Sequence, residues 1–490
     1  MPPAGRVLVA FDDPSLVWSP TWTRLDDAYP NLVTSYTIDR GRQFELDRTD
    51  TGRATVEIAD VDGVLDPTNP AGPFYGKLEP LLQIMLGRHN PVTDTWYTRF
   101  RGWIDEFDYA FDPSQQVNRL TVQCIDIFEI LSAIEMQPGE FGDAPPGKTQ
   151  QPDAIYFHRA DETDLRMLQV LGDAGIPTSY HDLFSGNVKL FETVYSAGEN
   201  ILTVIQEAAD AEFPGAPSNV YTDRLGRLVF HGRLARFFPV EHSGGTTGWE
   251  YTEWQAGDGE AVAGDPTGTV HLREFAFDRG LAKVINFATA TPLWAVAGDP
   301  TGTVHLREFA FDRGLAKVIN FATATPLWSN AGDVDKLGVP PTAAEVKGQL
   351  VKDTTSIGKY GIRSWSAQNL LTRESNLDGS DSLVETKRFA SYYVDNYKDP
   401  KNRVNTIGFR SMRPGQPGAS ILWQMLSRLD IADTVRVTVS APGGGAFVEE
   451  PYYVEGVHEE VRPLGIDAYD DVTMRLDLSP RHYYDSNPWP

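Results

Sequence analysis

Residues 40–80 read RGRQFELDRTDTGRATVEIADVDGVLDPTNPAGPFYGKLEP. They describe short strands and turns and carry no active-site signature. Ala54, Val56 and Ile58 alternate with Thr55 and Glu57, the pattern of a strand with one buried face. Asp62-Gly63 and Asp66-Pro67 mark turns, because glycine accepts positive φ and proline fixes its own. Further strands are predicted over Leu81–Leu86 and Tyr97–Phe107. Leu120, Val122 and Cys124 alternate with Thr121 and Gln123, and a short helix is expected over Ile127–Ile134.

Working outward, the far end of the chain repeats this character. Strands are expected at Val404–Phe409, Thr434–Ser440, Tyr452–Val461 and Val472–Leu478. Val435, Val437 and Val439 alternate with Arg436 and Thr438; Met474, Leu476 and Leu478 alternate with Arg475 and Asp477. Clean alternation at both ends predicts antiparallel sheets curled into barrels. The expected fold class is mainly β with α+β parts: two antiparallel β-barrel-like domains and a smaller helix-containing one.

Four segments follow from the composition along the chain. Residues 1–135 form a strand-rich block closed by the short helix. Residues 136–250 open with a Pro/Gly-rich loop, QPGEFGDAPPGKTQQPD (137–153), and continue as an α/β insertion. Its first helix is expected over Asp161–Ala174, with Leu165, Leu168 and Leu171 inward. Its second is entered through the capping-box pattern Ser196–Glu199, with Ile201, Val204, Ile205 and Ala208 on one face. A hairpin, VYT-DRLG-RLVFH, follows. Residues 251–365 hold an exact tandem duplication: 261–294 recur unchanged as 295–328, AVAGDPTGTVHLREFAFDRGLAKVINFATATPLW. Two perfect copies are not a solenoid, whose units drift and are usually three or more. They read as a recent duplication or an error in the written sequence. Each copy predicts a strand, at Lys283–Ala288 or Lys317–Ala322, for which there is one place. Residues 366–490 complete the second barrel. A helix over Leu383–Tyr397 enters through Ser382–Glu385, with Leu383, Ala390, Val394 and Tyr397 sharing a face, and a short apolar helix spans Ile421–Leu429.

These pieces, in this order, resemble the minor tail proteins of long-tailed actinobacteriophages, which are similar to tail-tip (baseplate) hub proteins. The resemblance rests on GRATVEI, LDPTN, PFYGKLEP, F-x-G-x-I (Phe100, Gly102, Ile104) and V-x-C-x-D (Val122, Cys124, Asp126). It resumes in SIGKYGIRSW, DNYKDP, IADTVRVTV, YYVEGVHEEV and MRLDLSP, and covers roughly two thirds of the chain. It implies a homotrimeric hub whose two barrels per subunit form a pseudo-sixfold ring. The implied partners are the distal tail protein ring, the tape-measure protein C-terminus, and other minor tail proteins or a central fibre. The implied place is the virion tail tip, made in the host cytoplasm, with roles in host attachment and genome ejection. A hexameric distal tail ring protein, a tail-associated cell-wall hydrolase and the hub of a phage-like injection machine are the rival readings. The twelve residues after Leu478 leave no room for an appended lytic domain, so a bare hub is expected.

Composition narrows the classes. The 490 residues suit two to four domains at ~100–200 residues each. A net charge of −25, from 43 basic and 68 acidic residues, argues against a nucleic-acid reader. It suits an acidic bore that lets DNA slide, and no specific nucleic-acid binding is expected. No run of about 18 apolar residues predicts a membrane span, and MPPAGRVLVAFDD is not a secretory signal. The single cysteine, Cys124, allows no disulfide within the chain and reads as a buried apolar residue.

Three motif-like stretches are assigned no chemistry. Gly142–Thr149 fits G-x-x-x-x-G-K-[ST] but lacks the flanking strand and helix that aim backbone N–H groups at phosphates. Asp60–Asp66 looks like a calcium loop but has Ala71 where a bidentate glutamate belongs, and reads as a turn. His458-Glu459-Glu460 lacks the second histidine of a zincin. No G-x-S-x-G occurs. The chain is therefore not expected to be an enzyme, and no catalytic, cofactor-binding or metal-ligating residue is assigned. Trp96, Trp103, Tyr109, Trp365, Tyr392, Tyr393, Tyr452 and Tyr453 read mostly as core, with some candidate interface anchors among them.

Overall fold

A computed structural model describes residues 6–13, 18–25, 29, 32–43, 47–112, 117–142, 153–157, 161–186, 188–190, 193–212, 220–232, 235–236, 253–257, 270–271, 274–278, 308–311, 318–326, 349–370, 380–400, 403–416, 418–440, 446–463 and 469–481. The P-loop-like stretch, beyond Gly142, and the first copy's expected strand at Lys283–Ala288 lie outside the described residues.

The first block contains β1 (Val7–Val9), β2 (Thr23–Arg24), β3 (Val33–Gly41), β4 (Asp50–Asp60), β5 (Gln83–Asn90), β6 (Thr95–Asp112), β7 (Val117–Ile125) and α1 (Ile127–Ala133). The insertion contains β8 (Ala154–Phe157), α2 (Thr163–Asp173), β9 (His181–Leu183), β10 (Thr193–Ser196), α3 (Ile201–Ala211), β11 (Val220–Thr222) and β12 (Leu228–Phe230). The repeat region contributes β13 (Glu253–Gly257), β14 (Val270–His271), β15 (Glu274–Asp278), β16 (Glu308–Phe311) and β17 (Phe321–Pro326). The remainder comprises β18 (Gln349–Lys352), α4 (Thr354–Tyr360), β19 (Ser364–Leu370), α5 (Ser380–Tyr397), β20 (Arg403–Arg410), α6 (Ala419–Arg428), β21 (Thr434–Ser440), β22 (Ala446–Arg462) and β23 (Asp471–Pro480).

The fold is mainly antiparallel β with a few helices, as expected. The terminal blocks share one 15-stranded sheet, whose main path runs β16-β15-β20-β23-β22-β3-β4-β7-β6-β5-β1-β2. The join is β3 against β22, antiparallel, from Tyr36↔Val461 to Gly41↔Gly456. β22 is divided: its first half pairs with β21, its second with β3, and β23 runs along its other side. One apolar core spans both blocks, from Val7, Tyr36 and Val56 to Val457, Met474 and Leu476, and α6 lays Leu422, Trp423, Met425 and Leu426 into it.

Two smaller cores flank it. α1, α2 and α3 pack with β8, β11 and β12 in one. In the other, α5 covers the three-stranded sheet β18-β17-β19 through Phe389, Ala390, Tyr393 and Tyr397.

Several local expectations are corrected. In α2 the inward residues are Thr163, Arg166, Met167, Val170 and Leu171, whereas Leu165 and Leu168 are exposed. The true face keeps the 3–4 spacing of a helix and accepts an arginine; counting leucines misses it. Arg166 is held by Thr193 Oγ1 at 2.9 Å and lies over the Phe157 ring. The cap of α3 is Asn200, whose Oδ1 accepts from the Thr203 N–H at 2.9 Å, while Ser196 ends β10. α5 begins at Ser380, so Ser382 lies inside the helix rather than at its cap. Of the strand expected over Lys317–Ala322, Lys317 lies outside the described residues, and the ladder with β18 and β19 begins at Phe321. Just before that ladder, the Asn320 N–H donates to the Arg363 carbonyl at 3.1 Å and its Nδ2 to the Gly361 carbonyl at 2.8 Å.

Candidate functional site

The distinctive chemistry lies at the seam where β22 joins the terminal blocks. Along β22, Val454, Val457 and Val461 face the core, and Glu459 stands in the same row. On β5 the row Ile84, Leu86 ends in Arg88; on β3 the row Tyr36, Ile38 ends in Arg40. Each strand thus carries one charge into an apolar face. Burying such charges is costly unless each finds a partner.

Glu459 is paired twice. Arg88 from β5 and Arg99 from β6 both reach it, and all three side chains are excluded from solvent. The Arg99 Nε–Glu459 Oε1 distance is 2.9 Å. The arginines also donate to the last carbonyls around α6: Arg88 to Leu426, and Arg99 to Ser427 at 3.0 Å and Leu429 at 2.9 Å. A helix C-terminus has unsatisfied carbonyls and partial negative charge, so two guanidinium groups suit it. Burial alone would raise the Glu459 carboxyl, but Arg88 and Arg99 outweigh it and hold it below the usual carboxylate range.

A second cluster surrounds Glu455, at the β-bulge of β22 against β23. A bulge re-aims a side chain; this one is 1% exposed. It accepts from Arg42 Nε at 2.9 Å, from Arg236 Nη2 at 3.0 Å and from Ser479. Arg236 lies over the Tyr453 ring, whose hydroxyl donates to the Arg236 carbonyl at 2.8 Å. Burial pushes this carboxyl up, and Arg236 and Arg42 bring it far below its ordinary value. Gly41 sits opposite at φ +94, where a Cβ would lie 2.2 Å from the Glu455 carbonyl oxygen. Only glycine fits that approach.

The insertion is tied into the same seam. Arg40 pairs with Asp430 at 2.8 Å and donates to the Thr222 carbonyl at 3.1 Å; the Arg224 N–H donates to Asp430 at 2.8 Å. At the surface end, His458 lies between Asp39 of β3, at 2.7 Å, and Asp477 of β23, at 2.8 Å. Burial lowers its pKa, but these two hydrogen bonds outweigh it and raise the imidazole to about 9. A cleft of about 590 Å³ opens beside it, with Asp39, Arg42, Arg48 and His458 among its walls.

The motif-like stretches resolve as structure. In Asp60–Asp66, the Asp60 carboxylate accepts from the Val64 and Leu65 N–H groups, and Asp66 Oδ1 accepts from the Thr68 N–H. These bonds make a turn. Cys124 is buried on β7, and burial raises its thiol. Glu459 of the His-Glu-Glu triplet belongs to the arginine pair. Trp103, Tyr392, Tyr393, Tyr452 and Tyr453 are core residues, Trp365 stacks on Tyr393 at 3.8 Å, and Tyr109 is exposed. Among the described residues no three His, Cys, Asp or Glu side chains gather as a metal would require, and no helix is long and apolar enough to cross a membrane.

No family model and no curated protein matches the chain. Solved structures do. A tail protein from Neisseria meningitidis MC58 aligns over 98% of both chains, at 9% identity and a TM-score of 0.47. The prophage MuSo2 43 kDa tail protein from Shewanella oneidensis aligns over 99% of this chain and 100% of its own, at 10% identity and 0.46. The E. coli c3393 protein is described as a type VI secretion component structurally similar to T4 tail proteins gp27 and gp5. It aligns over 94% of this chain and 77% of its own, at 10% identity and 0.36. Scores below 0.5 at such identities transfer no residue role.

Proposed function

We propose that the chain is a structural component of a phage tail, acting at the tail tip as a baseplate hub. One observation carries this. The stretches that resemble minor tail proteins are far apart in sequence and come together in one sheet and one core. GRATVEI lies on β4, F-x-G-x-I on β6, V-x-C-x-D at the end of β7, TVRVTV on β21, YYVEGVHEEV on β22 and MRLDLSP on β23. The buried charges that clamp these strands hold a shape, a device suited to a rigid scaffold.

In this reading three copies form a pseudo-sixfold ring. It joins the distal tail ring and the tape-measure C-terminus above to a fibre or further minor tail proteins below. DNA passes through the ring without being bound. The role is structural rather than catalytic, and the location is the virion tail.

Native mass spectrometry of the purified chain, together with tag labelling of assembled particles, tests the reading. A trimer, and label at the tail tip, are expected. A hexamer assigns the chain to the distal ring instead. Turbidity loss when pure protein meets actinobacterial cell walls overturns the non-catalytic role.

A further inference from the structure

The duplicated segment is distributed over two places in the fold. Beside β20, the strand position is filled by the first copy: β15 pairs antiparallel with β20 through Ala276↔Thr406 and its neighbours. Between β18 and β19, the position is filled by the second copy, as β17. The second copy's own EFAF strand, β16, lies parallel to β15 in perfect register, Glu274↔Glu308 through Phe277↔Phe311, at the end of the sheet path. Two strands of identical sequence therefore stand side by side, one against β20 and the other on its outer edge.

We propose that the two copies are interchangeable occupants of the place beside β20, and that the chain threads that place with either. Intrinsic pairing with β20 is the same for both, because residues 274–278 and 308–312 are the same residues. Only loop closure separates the two threadings. With the first copy in place, 12 residues (258–269) link β13 to β14, and 42 residues (279–320), with the edge strand β16 among them, separate β15 from β17. With the second copy serving both as β14 and as β15, the links become 46 residues (258–303) and 8 residues (313–320). The duplication moves 34 residues from one loop to the other. Closure entropy grows only with the logarithm of length, so the two threadings differ by about a factor of two in population. Parallel in-register pairing completes the argument: exchanging which copy is inner and which is outer leaves the β15–β16 ladder unchanged.

The redundancy has a corollary. Removing 295–328 gives the same polypeptide as removing 261–294, and that shorter chain still has one strand for each of the two places.

Cross-linking in the full-length chain tests this. Thr406→Cys is combined with Ala276→Cys or with Ala310→Cys, and each double variant is oxidised to a direct disulfide, which neighbouring strands permit and a two-strand separation forbids. Both are expected to cross-link within the chain, with yields within about threefold of each other. Cross-linking of the Ala276 variant alone overturns exchange. Cross-linking of neither overturns the placement of the repeat in this sheet. Independently, the chain lacking 295–328 is expected to melt cooperatively within a few degrees of the full-length protein. Its failure to fold overturns the redundancy.

Discussion

The seam and the repeat solve opposite problems within one sheet. At the seam every strand has one place, enforced by charges that must meet: Glu459 with Arg88 and Arg99, Glu455 with Arg42 and Arg236. At the repeat, two identical strands stand side by side, and in the proposed exchange only loop length chooses which of them meets β20. The difference teaches that backbone pairing is permissive, and that buried polar partners supply position. A slipped β22 would leave Arg88 and Arg99 without Glu459 in an apolar core, whereas a swapped β15 loses nothing that β16 cannot restore.

The largest effect is expected from Glu459→Ala. It strands two buried guanidinium groups and is expected to cost about 3–5 kcal/mol, read by chemical denaturation. The companion Arg88→Met/Arg99→Leu/Glu459→Met removes all three charges and is expected to be less damaging than the single change. A triple variant as unstable as Glu459→Ala would mean that the carbonyls around α6, rather than the charges, hold the seam.

Next comes pH. Folding raises the His458 pKa from 6.5 to about 9, so the protonated form is favoured in the folded state. Its contribution is complete below pH 6.5 and is lost as pH rises through about 9. Because Asp39 is largely exposed, the loss is expected to be on the order of 2 kcal/mol at most. His458→Gln should flatten that part of the pH–stability curve. An unchanged curve would remove His458 from the seam's electrostatics.

The smallest effect is expected from Ala310→Pro in the edge strand β16, about 0.5 kcal/mol, since proline is tolerated at sheet edges. A loss of several kcal/mol there would make the repeat as position-specific as the seam.

How much of this was legible in the sequence follows from the same contrast. β21 falls on its expected span, Thr434–Ser440, because five alternating residues are a strong local signal. β20, β22 and β23 extend their expected cores by a few residues. The face of α2 departs from the row Leu165, Leu168 and Leu171 because a buried arginine, Arg166, belongs to it. The seam itself was not legible, because Arg99 and Glu459 are 360 residues apart in sequence. A signal was nonetheless present. Arg40, Arg88 and Glu459 each sit in phase with an apolar alternating row, where a surface charge should be out of phase. The pairing of β15 with its own copy had no such signal, since identity says that two segments are equivalent and not where either goes.

The split partnership of β22 also sets a timetable. β3 ends at Gly41, and its partner on β22 begins at Gly456. During synthesis at ~5–20 residues per second, one edge of β3 waits roughly 20–80 s for the strand that covers it. Until then the nascent first block presents an open ladder to the cytosol, the kind of edge on which chains aggregate. β22, made long after β3, therefore acts as the closing step for the first block, and a chain cut short before residue 446 would leave that block with an open edge.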